Sequence, residues 1–158
     1  MKNSGPRLVR ETGFTLIELM VTTAIMMILA SVALPLAQVT VQRQKEAELR
    51  RDLYEMRNAI DRYKAAADRN QIQVQADTDG YPPSLEALVQ GVPLAGKPGV
   101  SIRFLRKIPV DPMTGQKNWG LRCVQDPPDS TSWCGTDVFD VYSQSTGTAL
   151  NGTQYSSW

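Results

Sequence analysis

Gly13-Phe14-Thr15-Leu16-Ile17-Glu18-Leu19-Met20-Val21-Thr22-Thr23-Ala24-Ile25-Met26-Met27-Ile28-Leu29-Ala30-Ser31-Val32-Ala33-Leu34-Pro35 is the stretch on which the reading of this chain turns. From Phe14 to Gln42 a single residue is charged, Glu18. About 20 apolar residues at about 1.5 Å per residue span a hydrocarbon core of roughly 30 Å, and Phe14 to Leu34 is long enough. Backbone groups in lipid have no water to bond, so such a stretch is a helix. Before it, Lys2, Arg7 and Arg10 outweigh Glu11. A basic flank stays in the cytoplasm, which sends everything after the apolar run to the periplasm or cell exterior.

Glu18 is the anomaly in that run. A carboxylate at the centre of a membrane helix costs roughly 2.5–3.5 kcal/mol, and less near an end, where the side chain reaches the interface. Two readings follow: a tolerated, snorkelling glutamate, or one whose cationic partner arrives later. A secretory signal peptide with Ser31-Val32-Ala33 as its cleavage site is a rival for the whole segment. The apolar run exceeds the usual 7–15 residues of a signal core, and Glu18 would interrupt it.

The string Gly13-Phe14-Thr15-Leu16-Ile17-Glu18, after a short basic leader and before an apolar helix, resembles the processing site of type IV prepilins and type II secretion pseudopilins. The resemblance implies cleavage after Gly13 by a prepilin peptidase, with Phe14 as the new, N-methylated amino terminus. It implies an assembly role for Glu18, pairing with the Phe14 amine of another subunit. It also implies a helix-interrupting role for Pro35. Proline removes one backbone bond and clashes with the preceding turn. Pro35 therefore reads either as the membrane exit or as a hinge used during assembly. An intersubunit ion pair in low dielectric is favourable only with good geometry, and a lone buried charge is costly, so the pair acts as a register check.

Farther along, Leu49, Leu53, Met56, Ile60, Tyr63 and Ala67 step by four, three, four, three and four residues, with charges between them. That is an amphipathic helix laying one face on a globular domain, too short for a long coiled coil. A continuous helix from Phe14 to about Asn70 would measure roughly 85 Å. Residues 71–82 read as a polar loop. Asp77 and Asp79 fit a solvated turn, because a helix-loop-helix calcium site needs a closing glutamate that is missing. Ser84 caps a short helix over Leu85–Gln90 that Gly91 stops. Residues 91–100, rich in Gly and Pro, read as an irregular crossing. Asp111-Pro112-x-x-Gly115 is turn chemistry. Residues 120–124 and 138–143 are strand candidates.

The order Tyr81-Pro82, Leu85-Glu86-Ala87-Leu88, Ile108-Pro109-x-Asp111-Pro112, Trp119-Gly120 and a final strand pair looks like the major (G-type) pseudopilin of type II secretion systems. The implied fold is α+β and type IV pilin-like, a long N-terminal helix packed on a small antiparallel sheet. The implied organisation is a removed leader (1–13), a transmembrane and filament-core helix (14–42) and a periplasmic globular domain (43–158). The implied partners are the chain itself as a homopolymer, the prepilin peptidase, minor pseudopilins and an inner-membrane assembly platform. The product would be a periplasmic pseudopilus that drives protein export from a single-pass inner-membrane store. A surface type IV pilin is the alternative. Such pseudopilins usually carry an acidic calcium-binding loop near the C terminus. Ser143 to Gly152 here holds no carboxylate, so no metal is assigned, and only Asp137 or Asp140 with backbone carbonyls would remain for a weak calcium site.

Composition narrows the function classes. The chain has 158 residues, net charge +1 and no histidine. The charge gives no field for nucleic acid. Absence of His removes the commonest general base and the usual zinc ligand. No nucleophile–base pair or phosphate loop stands out, so the chain reads as no enzyme, with a membrane-anchored periplasmic enzyme or binding protein as the least favoured alternative. The two cysteines, Cys123 and Cys134, read as a disulfide, because the periplasm is oxidising and Pro127, Pro128 and Ser130 between them suit a turn.

Overall fold

The computed structural model describes residues 13–158, except the side chains of residues 32–36. The chain divides into two units, Met1–Thr40 and Val41–Trp158, and helix α1 (Leu16–Asp68) contributes residues to both. The architecture is α+β: a long N-terminal helix followed by small antiparallel pairings.

Within the second unit, the apolar stripe of α1 is the spine of the core. Leu49, Leu53, Met56, Ile60, Tyr63 and Ala67 are each buried, and Ala59 and Ala66 widen the stripe. Each large apolar side chain so buried contributes about 1.5–3 kcal/mol. Asp52 shares this face at 6% exposure. Burial pushes its carboxyl above the usual carboxylate range, with Arg51 at 3.8 Å pulling the other way. Two residues past the helix end, Asn70 is in the left-handed region at φ 53°. Asn70 N–H donates to the Ala67 carbonyl and Gln71 N–H to the Ala66 carbonyl, both at 2.9 Å. That paired closure satisfies two of the carbonyls a helix end leaves open.

Helix α2 (Leu85–Gln90) is held at both ends by the residues the sequence proposes. Ser84 Oγ accepts from Ala87 N–H at 3.3 Å, and Gly91, at φ 98°, donates to the Ala87 carbonyl. Leu85 and Leu88 are its buried face. The stretch expected to be irregular, 91–100, holds one strand of a ribbon, β1 (Val92–Pro93), antiparallel to β2 (Ser101–Ile102) just beyond it. Its glycines and prolines confine it to two residues a side.

The second ribbon pairs β3 (Trp119–Arg122) antiparallel with β4 (Asp140–Ser143), in the register Trp119↔Ser143 through Arg122↔Asp140. The antiparallel pairing is thus split into two two-stranded ribbons rather than joined in one sheet. Both strands are shorter than the sequence suggests. Cys123 leaves the ladder because its N–H goes to Asp126 Oδ2, and Val138 N–H goes to the Pro82 carbonyl. The Asp111 turn is pinned beside β4. Asp111 is fully buried, accepts from Met113 N–H at 2.8 Å and takes the Ser143 hydroxyl at 2.6 Å. Trp119 Nε1 closes the same corner by donating to the Pro109 carbonyl.

A disulfide joins Cys123 to Cys134, with Cα atoms 6.1 Å apart. It closes the short loop leaving β3, and removing a loop of this size from the unfolded ensemble stabilises by about 2–3 kcal/mol. The double variant Cys123→Ser/Cys134→Ser is accordingly expected to lose about that much stability in urea unfolding. An unchanged urea midpoint would show that the loop is held without its covalent link.

Candidate processing and assembly site

Gly13, Phe14 and Thr15 precede the first turn of α1, outside regular secondary structure and exposed. Among the described residues beyond its chain neighbours, no atom lies within 4 Å of where a Cβ of Gly13 would stand. Phe14 is 72% exposed. Thr15 starts the helix. Its Oγ1 accepts from Glu18 N–H at 3.3 Å, and its carbonyl takes Leu19 N–H at 3.2 Å. This is N-capping by threonine. The spacing Thr15-x-x-Glu18 is that of a capping box, a signal present in the sequence that the reading above leaves unused.

Glu18 stands in the first turn of α1 and is exposed. Position matters for its charge, because an anion near a helix N-terminus is favoured by about 0.3–1 kcal/mol. Among the described residues no cation pairs with it. Its carboxylate is therefore placed beside the Gly13–Phe14 junction and left available. The leader residues expected to flank the membrane, Lys2, Arg7, Arg10 and Glu11, lie outside the described residues.

Beyond Glu18 the helix is apolar on every side. Leu16, Ile17, Leu19, Met20, Val21, Ile25, Met26, Met27, Ile28 and Leu29 are all at least half exposed. A helix hydrophobic all round needs a surrounding of protein or lipid. The hydroxyls in this stretch are compatible with one. Thr22 Oγ1 donates to the Leu19 carbonyl, Thr23 Oγ1 to those of Leu19 and Met20, and Ser31 Oγ to that of Ile28. Each of these three hydroxyls is thus satisfied within its own helix.

Among the described residues no helix is long and apolar enough to cross a membrane. Leu16 to Ser31 covers about 24 Å, short of the roughly 30 Å needed. The remainder of the expected span falls on residues 32–36, outside the described side chains. Pro35 is among them, and α1 is helical through that position.

The residues considered for calcium are otherwise engaged. Asp140 accepts from Arg57 at 2.6 Å and lies 3.5 Å from Arg122. Asp137, 1% exposed, accepts from the Thr136 hydroxyl and from Val124 N–H. Cys123, Asp126 and Cys134 also cluster, but the two sulfurs are bonded to each other and offer no thiolate. The segment that would carry an acidic loop is instead fastened to α1 by side chains. Glu46 Oε1 accepts Leu150 N–H and the Tyr155 hydroxyl, both at 2.9 Å, and Gln42 donates to Tyr155 at 3.1 Å. Burial first, and Glu46 beside it, push the Tyr155 phenol up. Arg57 adds bonds to the Val141 and Trp158 main-chain oxygens.

Residues 9–34 match the family described as the prokaryotic N-terminal methylation motif. The match takes in Gly13, Phe14 and Glu18 and supports a likeness to type IV pilin-like, prepilin-type N-termini. No curated protein and no solved structure matches the chain.

Proposed function

We propose that the chain is a structural subunit of a type II secretion pseudopilus, stored as a single-pass inner-membrane protein and polymerised through its N-terminal helix. The observation that carries this reading is the exposed Gly13–Phe14 junction, followed by a Glu18 that is exposed and, among the described residues, without a cationic partner, at the start of an all-round apolar helix. Cleavage there would place a new amine four residues before Glu18. In a stacked filament the Glu18 of one subunit meets the Phe14 amine of a neighbour, while Met20, Met26, Met27 and Leu29 pack helix against helix. Pro35 is the point at which the helix yields during assembly. The pseudopilin type rests on the order of residues 81–120. A minor role for calcium is not proposed, since Asp140 is held by two guanidinium groups.

A surface type IV pilin is the second reading. It is favoured by one departure from the pseudopilin pattern, the absence of carboxylates from Ser143 to Gly152. Filaments that persist on cells lacking the secretion genes would establish it.

Intact-mass analysis of membrane-extracted protein tests the shared premise. The expected mature chain begins at Phe14 and carries one added methyl. A chain beginning at Leu34 would replace this reading with that of a secreted, signal-cleaved protein.

A further inference from the structure

On the face of α1 that meets the last residues of the chain lies an open groove of about 390 Å³, lined by Arg50, Leu53, Tyr54, Arg57 and Trp158. Leu53 is its floor, 2% exposed. One wall is the Trp158 indole, fixed by its Nε1–H to Thr153 Oγ1 at 2.7 Å and by an edge-to-face contact with Tyr155. Arg57 is committed to Asp140 and to the Trp158 main chain, so it holds the wall without offering a free charge. Arg50 is different. Its guanidinium lies 4.2 Å from the Trp158 ring centroid, and among the described residues no carboxylate pairs with it. One turn on, Tyr54 is 71% exposed. The groove offers an aromatic lining and one unspent cation.

The same chain displays the complement. Pro127, Pro128 and Asp129 form an exposed turn inside the disulfide loop. Ser130 N–H closes it on the Pro127 carbonyl at 2.9 Å, and Arg122 Nε holds the Ser130 carbonyl from below. Asp129 is exposed and, among the described residues, has no cationic partner. Proline segments dock in aromatic-lined grooves because they expose flat apolar faces and lose little entropy on binding. A turn already fixed by two prolines and a disulfide is cheaper still to immobilise.

We propose that this groove receives the Pro127-Pro128-Asp129 turn of a second copy of this chain, with Asp129 on Arg50 and the prolines against Tyr54 and Trp158. Each copy carries both halves, so the contact either closes a two-fold dimer or repeats head to tail. It rests on the membrane-stored part of the proposed function and not on the filament, since chains stored side by side in a membrane can make it too.

The test places a photo-crosslinking p-benzoylphenylalanine at position 54 of the full chain in native membranes. Illumination is expected to give a covalent dimer whose joined peptide contains Pro127–Asp129. Arg50→Asp and Asp129→Arg should each lower the dimer yield at least about fivefold, and the two together in one chain should restore it. Arg50→Lys, which keeps the charge, should retain most of the yield. An intact Cys123–Cys134 disulfide on non-reducing gels scores folding in every variant. A crosslink to another protein, or to another part of the second copy, overturns the proposal. So does a yield indifferent to charge reversal, or a double variant that is not restored. The mass of the mature N-terminus, read on the same samples, scores the filament reading separately.

Discussion

Glu18→Ala protein is expected in the membrane at the wild-type level and in filaments at no more than about a tenth of it. Insertion loses nothing, because the variant removes a charge that costs up to roughly 2.5–3.5 kcal/mol inside the bilayer. The helix start also survives. Its cap is Thr15 Oγ1, and the N–H that it accepts belongs to the backbone of residue 18, which the substitution leaves in place. What disappears is, among the described residues, the one anion in the first turn of α1, next to the Gly13–Phe14 junction. A pairing worth only about 1.4 kcal/mol per contact changes an association constant tenfold, and a polymer repeats the contact at every subunit. Glu18→Gln separates charge from size, and it should fail in assembly as Glu18→Ala does. Sheared filament and membrane fractions, compared by immunoblot, give the two levels. Filaments at the normal rate would sink the pairing. A fall in the membrane fraction would instead give Glu18 a role in insertion.

What could be read from residues alone follows a physical divide between local and distant causes. The Leu49–Ala67 stripe is legible because burial on one helix face imposes its own period. Ser84 and Gly91 are legible because a helix end must satisfy its own backbone within a few residues. Thr15 is as local, since its cap reaches only to the backbone of residue 18. The Asp111 turn shows in the sequence, whereas its partner Ser143 does not, because the bond crosses 32 residues. The hold of Glu46 on Leu150 crosses 104. Asp140 illustrates the cost of that distance. Read beside its neighbours it is a candidate cation ligand, and only the fold brings Arg57 and Arg122 to it. The β1–β2 ribbon is hidden for another reason. Its residues carry loop chemistry, and the pairing depends on Leu94 bonding to Val100 and bridging to Ile72.

Gly120→Ala is expected to lose about 3 kcal/mol of stability, with a fall in Tm of about 10 °C. The reason is space and not backbone freedom, since Gly120 is absent from the residues of positive φ. It sits opposite Tyr142 in the β3–β4 ladder, and the phenol ring lies flat over it. A Cβ at position 120 would stand 2.1–2.5 Å from three carbons of that ring, far inside the roughly 3.5–4.0 Å at which carbon atoms rest. The ring has no easy retreat. Tyr142 is 5% exposed, its hydroxyl donates to the Thr131 carbonyl at 3.2 Å, and the Arg122 guanidinium stands 4.0 Å from its centroid. Arg122 is itself held by Asp140 and by the Ser130 and Ser156 carbonyls. The added methyl must therefore open the ribbon or disturb that network, and either is a core-scale loss. A double-mutant cycle isolates the cause. In a Tyr142→Ala background the ring is gone, and Gly120→Ala should then cost less than about 1 kcal/mol. Equal costs in the two backgrounds would mean that the glycine serves the strand by some route other than the space it leaves for Tyr142.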